Sequence, residues 1–161
     1  MKHPLSALIV LVSLLAGCSH VTTRTADRVD LKQSQHIWVE HLLTDGHSVD
    51  QIIARQLRQR GYDALAGPLT LMPEQTDLIV GYLDRWNFDF TYYMIEIDIQ
   101  VRAAKGDKLL ATGRNFRPSV AGKSPAEMIE TVLDKLFPPK GPPVPEPPPM
   151  PGIEAESPSR L

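Results

Sequence analysis

Tyr93-Met94-Ile95-Glu96-Ile97-Asp98-Ile99-Gln100-Val101-Arg102 is the stretch on which the fold turns. Tyr93, Ile95, Ile97, Ile99 and Val101 alternate with Met94, Glu96, Asp98, Gln100 and Arg102, which gives an extended chain one apolar side and one mostly charged side. Such a strand has one face in a core and the other in water. A sheet built around it offers a single apolar face, and any helices must pack on that face.

Moving outward, Lys105-Gly106-Asp107-Lys108 has the composition of a tight turn, so Leu109 to Arg117 returns as an antiparallel partner. Asp77 to Asp84 (DLIVGYLD) is apolar on both faces and reads as a central strand, and His36 to Val39 reads as a first strand. Ser48 with Gln51 fits a capping box ahead of Ile52, Ile53 and Leu57, and Gly61 can close that helix after Arg60. Ser124, Pro125 and Glu127 open a second helix with the stripe Met128, Ile129, Val132, Leu133 and Leu136, which Pro138-Pro139 ends. Leu65 to Pro73 is turn-rich. The expectation is a two-layer α+β domain over 35–137, with a mainly antiparallel sheet of about four strands and two helices on one face.

Outside that domain the pattern fades. Residues 18–34 are polar without a sustained period and read as a flexible tether. Nine of the fourteen residues from Pro138 to Pro151 are proline, the composition of a polyproline spacer, so 138–161 is expected to be a disordered tail. The chain has 161 residues with 17 Lys and Arg against 19 Asp and Glu, a formal charge of -2. Neither a nucleic-acid footprint nor a polybasic membrane patch fits that balance.

One cysteine stands in the chain, so no disulfide can form within it. Met1-Lys2-His3 begins positively and Leu5 to Leu15 is an eleven-residue apolar run, too short to span a bilayer and typical of an export signal over 1–17. Leu15-Ala16-Gly17-Cys18 resembles the bacterial lipobox. That resemblance implies cleavage between Gly17 and Cys18 and acylation of the Cys18 thiol. Ser19, in place of an aspartate, implies sorting to the outer membrane, lipid-anchored on the periplasmic side.

Candidate sites are few. His36, Glu40, His41, Asp45 and His47 are ligand-type residues within twelve positions, but their spacing matches no closed metal site. They read as a polar strand end and loop, with no metal or cofactor expected. Asp84 to Phe90 holds Arg85, Trp86 and Phe88, the composition of a protein-binding surface. The alternative is a hairpin with Trp86 and Phe88 packed on the sheet and Asp84 paired to Arg85 or Arg114. There is no Gly-rich phosphate loop, no nucleophile elbow and no spare cysteine, so no enzyme is expected.

A lipobox, the IWVE strand, a helix ending in R-G-Y, the DLIVGYLDRW strand, the long alternating strand and a final S-P-x-E helix together resemble small proteobacterial outer-membrane lipoproteins. The 36–137 region is similar to domains of periplasmic assembly-factor lipoproteins, including the N-terminal part of the curli-secretion lipoprotein. The resemblance implies a non-enzymatic protein that binds a protein partner in outer-membrane or envelope assembly or maintenance. Only Cys18 carries over as a functional residue. A glycan or small-ligand module, with peptidoglycan the nearest polymer, is the other reading.

Overall fold

The computed structural model describes residues 20–26, 30–117 and 124–148. It contains strands β1 (His20–Thr25), β2 (His36–Glu40), β3 (Asp63–Gly67), β4 (Leu78–Asp89), β5 (Thr91–Ala103) and β6 (Leu109–Phe116). The helices are α1 (Val49–Gln59) and α2 (Pro125–Leu136). One sheet takes the order β1-β6-β5-β4-β2-β3. Its first three pairings are antiparallel, and β4 with β2 and β2 with β3 are parallel.

The fold is α+β, but the expected sheet of about four mainly antiparallel strands is corrected to a mixed sheet of six. β1 comes from the stretch read as tether. It is a polar edge strand whose only half-buried positions are Val21 and Thr23, too faint an alternation to stand out. β3 is a five-residue edge strand ahead of the Gly67-Pro68 turn. Its parallel pairing with β2 follows from α1, which crosses between them as a βαβ unit requires.

β5 sits inside the sheet with Ile97, Ile99 and Val101 fully buried. Ile99 lies between Tyr82 and Gly113, and Val101 between Val80 and Ala111. These residues share one core with Ile53, Ala54 and Leu57 of α1 and with Met128, Ile129, Val132, Leu133 and Leu136 of α2. Both helices therefore cover the same face. Gly113 is what lets α2 approach: a Cβ there would stand 2.5 Å from Val132 Cγ1 and 3.0 Å from Leu136 Cδ1.

The two helices start by different means. At α2 the Ser124 hydroxyl accepts from the Glu127 N–H and the Glu127 carboxylate accepts from the Ser124 N–H, the expected capping box with Pro125 in the first turn. Ser48 caps nothing; its backbone is left-handed at φ 55°. Asp45 takes that role, with Oδ2 accepting from the N–H of Val49 at 2.7 Å and of Asp50 at 3.4 Å. The capping residue is thus three positions earlier than the sequence pattern proposed. Gly61, at φ 87°, ends α1, and the Tyr62 N–H returns to the Leu57 carbonyl at 3.1 Å.

Residues 138–148 have a spacer's composition, yet they are fastened to the body. Lys140 and Val144 donate backbone N–H bonds to the carbonyls of Arg60 (3.0 Å) and Arg58 (2.9 Å) at the end of α1, the latter also accepting from the Gly61 N–H. The Tyr62 hydroxyl donates to the Pro138 carbonyl at 3.1 Å, and Glu146 pairs with Arg58 at 3.3 Å. Lys140 Nζ donates to the Ser34 carbonyl and lies over the Tyr62 ring. A side chain on Gly61 would strike the Gly141 backbone at 2.8 Å, so the glycine serves both the left-handed turn and this contact.

Two stability measurements follow. A chain ending at Phe137 should unfold in urea with about 2 kcal/mol less stability than one ending at Pro148, since each lost hydrogen bond contributes roughly 0.5–1.5 kcal/mol. Gly113→Ala should lose about 1–3 kcal/mol through overpacking against α2. An unchanged urea midpoint in either would contradict the packing described.

Candidate functional site

β4 and β5 run on where their neighbours stop. His20, the first residue of β1, pairs with Phe116, the last of β6, and Phe116 pairs with Glu96. Thr91 to Met94 lie beyond that level and, among the described residues, pair only with the end of β4, an arm of roughly 13 Å at the usual rise per residue, while the Ile95 carbonyl at its root accepts from the Arg117 N–H. The register shifts between Arg85 and Trp86, a bulge at the root of the arm that adds twist.

The tip of the arm is apolar and strained. Phe90 has φ 61° and is 94% exposed. For a non-glycine residue that conformation stores about 1–2 kcal/mol. Phe88 and Tyr92 are 62% and 68% exposed, with ring centroids 5.0 Å apart. Leu43, in the loop that leaves β2 at the same end of the sheet, is 99% exposed. Large apolar side chains are thus left open to solvent at this end of the sheet.

Arg85, Trp86 and Phe88 have three different situations. Phe88 is out at the tip. Trp86 is half-buried at the root, where its Nε1 donates to Asp84 and its ring lies on His47 with centroids 3.7 Å apart and planes at 14°. Arg85 turns to the uncovered face of the sheet and pairs with Glu96, which also holds Arg114. Asp84 therefore pairs with neither arginine. Phe90, the last residue of the stretch singled out in the sequence, and Tyr92, just beyond it, are more exposed than Phe88; a tight turn between two strands longer than their neighbours is the signal that marks them.

On the uncovered face, Leu83, Arg85, Glu96 and Asp98 line a shallow hollow. Burial pushes the Asp98 carboxyl above its ordinary range, Arg114 works against that, and Glu96 adds to it. Its Oδ1 has no partner.

At the root of the arm the fold gathers residues the sequence left apart. Asp45 Oδ1 accepts from the His47 N–H at 2.8 Å, and Oδ2 accepts from the Tyr82 hydroxyl at 2.6 Å. Desolvation opposes the Asp45 charge, but the bonds from Tyr82 and from the N–H groups of His47, Asp50 and Val49 outweigh it and hold the carboxyl below the ordinary range. Burial, reinforced by Asp45, keeps Tyr82 as the neutral phenol. His41 Nδ1 meets Oδ2 of buried Asp50 at 2.9 Å. His36 and Glu40 belong elsewhere, paired with Asp63 and Arg102. Asp50 was missed because the first turn of α1 is what aims it at His41, and Asp84 because it arrives from β4, distant in the chain from the loop it faces. Gly17 and Cys18 lie outside the described residues.

No protein-family model matches this sequence, and no curated protein matches it. Among solved structures it is similar to the PelC dodecamer from Paraburkholderia phytofirmans, at 13% identity and TM-score 0.58, over 74% of this chain and 99% of that one. A methionine variant of the same protein aligns at 16% identity and TM-score 0.54, over 74% and 98%. The likeness is one of fold.

Asp98 gives a pH test. Its folded carboxyl titrates higher than an unfolded one, so the charged form penalises folding above that range and the penalty vanishes as acid protonates both states. Asp98→Asn should raise the thermal midpoint near pH 7, with the gain fading toward pH 3. A gain that grows on acidification would contradict this assignment.

Proposed function

We propose that this chain is an exported lipoprotein, cut before Cys18 and acylated there, held at the periplasmic face of the outer membrane. It works without catalysis, by binding a protein partner in envelope assembly or maintenance. The observation that carries the reading is a coincidence of ends. β1 begins at His20, two residues after Cys18, at the end of the sheet from which the aromatic arm projects.

Two extended residues span about 7 Å, so lipid on Cys18 would hold this end close to the bilayer. The arm reaches farther than that, which brings Phe88, Phe90 and Tyr92 to the membrane surface. A partner met there is itself embedded in or resting on the membrane. Exposed aromatics supply large contact area at small entropic cost, the property of residues that dominate protein interfaces. The strain at Phe90 fits the same reading, because a ring held outward in an unfavourable backbone state adds nothing to the core. Anchoring needs no further segment: each buried methylene contributes about 0.8 kcal/mol, and the several acyl chains of such an anchor exceed what a single reversible chain provides.

Cys18→Ser should leave the protein in the soluble periplasmic fraction with no mass added by lipid. A photo-crosslinking residue at Phe90 should trap one discrete envelope protein in living cells, while one at Leu109, on the opposite end of the sheet, should not. Phe90→Gly relieves the backbone strain, so it should fold at least as well and compete poorly for that partner. Random abundant adducts from Phe90, or a membrane-bound Cys18→Ser chain of unmodified mass, would overturn the proposal.

A further inference from the structure

Side chains with metal-ligand chemistry converge at the root of the arm from four places: His41 just past β2, Asp45 and His47 from the loop before α1, Asp50 from the first turn of α1, and Asp84 from β4. Donor atoms of Asp45, His47 and Asp84 lie within 4.8 Å of one another, and so do those of His41, Asp45 and Asp50. Asp45 belongs to both sets. Among the described residues no lysine or arginine pairs with any of the three carboxylates; besides neutral donors, among them Tyr82, Trp86 and backbone N–H groups, the groups that meet them are two imidazoles.

The donors are also aimed. His47 is held flat against Trp86, which fixes the plane of its ring. Asp45 Oδ1 accepts a single hydrogen bond, from the His47 N–H, and keeps a lone pair. His41 is held through Nδ1 by the buried carboxylate of Asp50, which leaves Nε2 for a ligand. A carboxylate behind an imidazole is the arrangement that orients metal-binding histidines.

We propose that this cluster binds a divalent transition-metal ion of the zinc class, ligated by Asp45, His47 and Asp84, with His41, positioned by Asp50, drawn in as the fourth ligand through the Asp45 that both sets share. Mixed imidazole and carboxylate donors suit zinc, at about 2.0–2.2 Å from each. Calcium and magnesium favour oxygen ligands throughout, which two histidines do not supply. Donors around such an ion stand closer together than 4.8 Å, and His41 shares only Asp45 with the other set, so the ligands must close on binding; His47 and Asp84, both outside the core, supply that movement. The ion would join the β2–α1 loop to β4 below the aromatic tip and fix the arm against the body. This site is independent of the partner-binding proposal.

The test uses the full-length lipidated protein in detergent, stripped with a chelator and titrated with zinc chloride, then with cobalt chloride to read the ligand-field spectrum. One equivalent should bind, with cobalt bands characteristic of nitrogen and oxygen donors. His47→Gln and Asp84→Asn should each weaken binding at least tenfold, and Asp50→Asn by about 10–100-fold. His36→Gln, whose partner is Asp63, should bind as the parent does. Circular dichroism matching the parent shows that each variant folds; should Asp50→Asn fail, the exposed His47 variant still decides. No saturable zinc binding, or unchanged binding when His47 and Asp84 are replaced together, overturns the site.

Discussion

Ile97, Ile99 and Val101 are shut away from water beneath two helices, while Glu96, Asp98 and Arg102 between them face the other way into ion pairs or partial solvent. This one-sided burial of β5 orders the molecule. It forces α1 and α2 onto the same face. On the opposite face, beside buried Trp38 and Ile79, it places charges: Glu96 holds Arg85 and Arg114, and Arg102 pairs with Glu40 and Asp107. Slipping β5 by one residue would drive that whole charged row into the core, so the register of β4 and β6 follows from it. From that register comes the arm, because β4 and β5 are simply longer than the partners on either side.

Much of this was legible where a residue's environment repeats along the chain. The alternation of β5 from Glu96 onward, the apolar stripe of α2 with its Ser124 cap, and the turn at Gly106-Asp107 each carry their cause in neighbouring residues; before Glu96 the bulge reverses the faces, so that Met94 is in the core and Tyr93 and Ile95 are half-buried. The hidden parts depended on distant ones. β1 became a strand because β6 presents an open edge to it, not because His20 to Thr25 insists on being extended. Ser48 has the right chemistry for a cap, yet Asp45, supported by Tyr82 from another strand, reaches the same N–H groups first. The proline run looked like a free spacer because nothing in its composition reveals that the carbonyls of Arg58 and Arg60 at the end of α1 lie beside it as acceptors.

The candidate site shows the same division. Trp86, Arg85 and Phe88 stood out by residue type, but type does not say which of three neighbours turns inward, which pairs across the sheet and which stays bare. The bulge at Arg85 and Trp86 decides that, and a bulge is a property of two strands together. Asp45 likewise looked like an ordinary loop carboxylate. Only the fold places it among Tyr82, His47 and Asp84, where three segments of the chain end at one point.

The path of the chain sets how the domain would bear load. It enters at the arm's end of the sheet through β1, and the strap of residues 138–148 leaves along the last turn of α1, at the opposite pole. A pull between a held start and anything gripping the residues after Pro148 would act lengthwise on β1. Its hydrogen bonds to β6 would then be sheared together instead of unzipped one by one, whereas the strap, held at separated points, would peel. The entry side is the stronger mechanical joint, and the proline segment is the part that yields first.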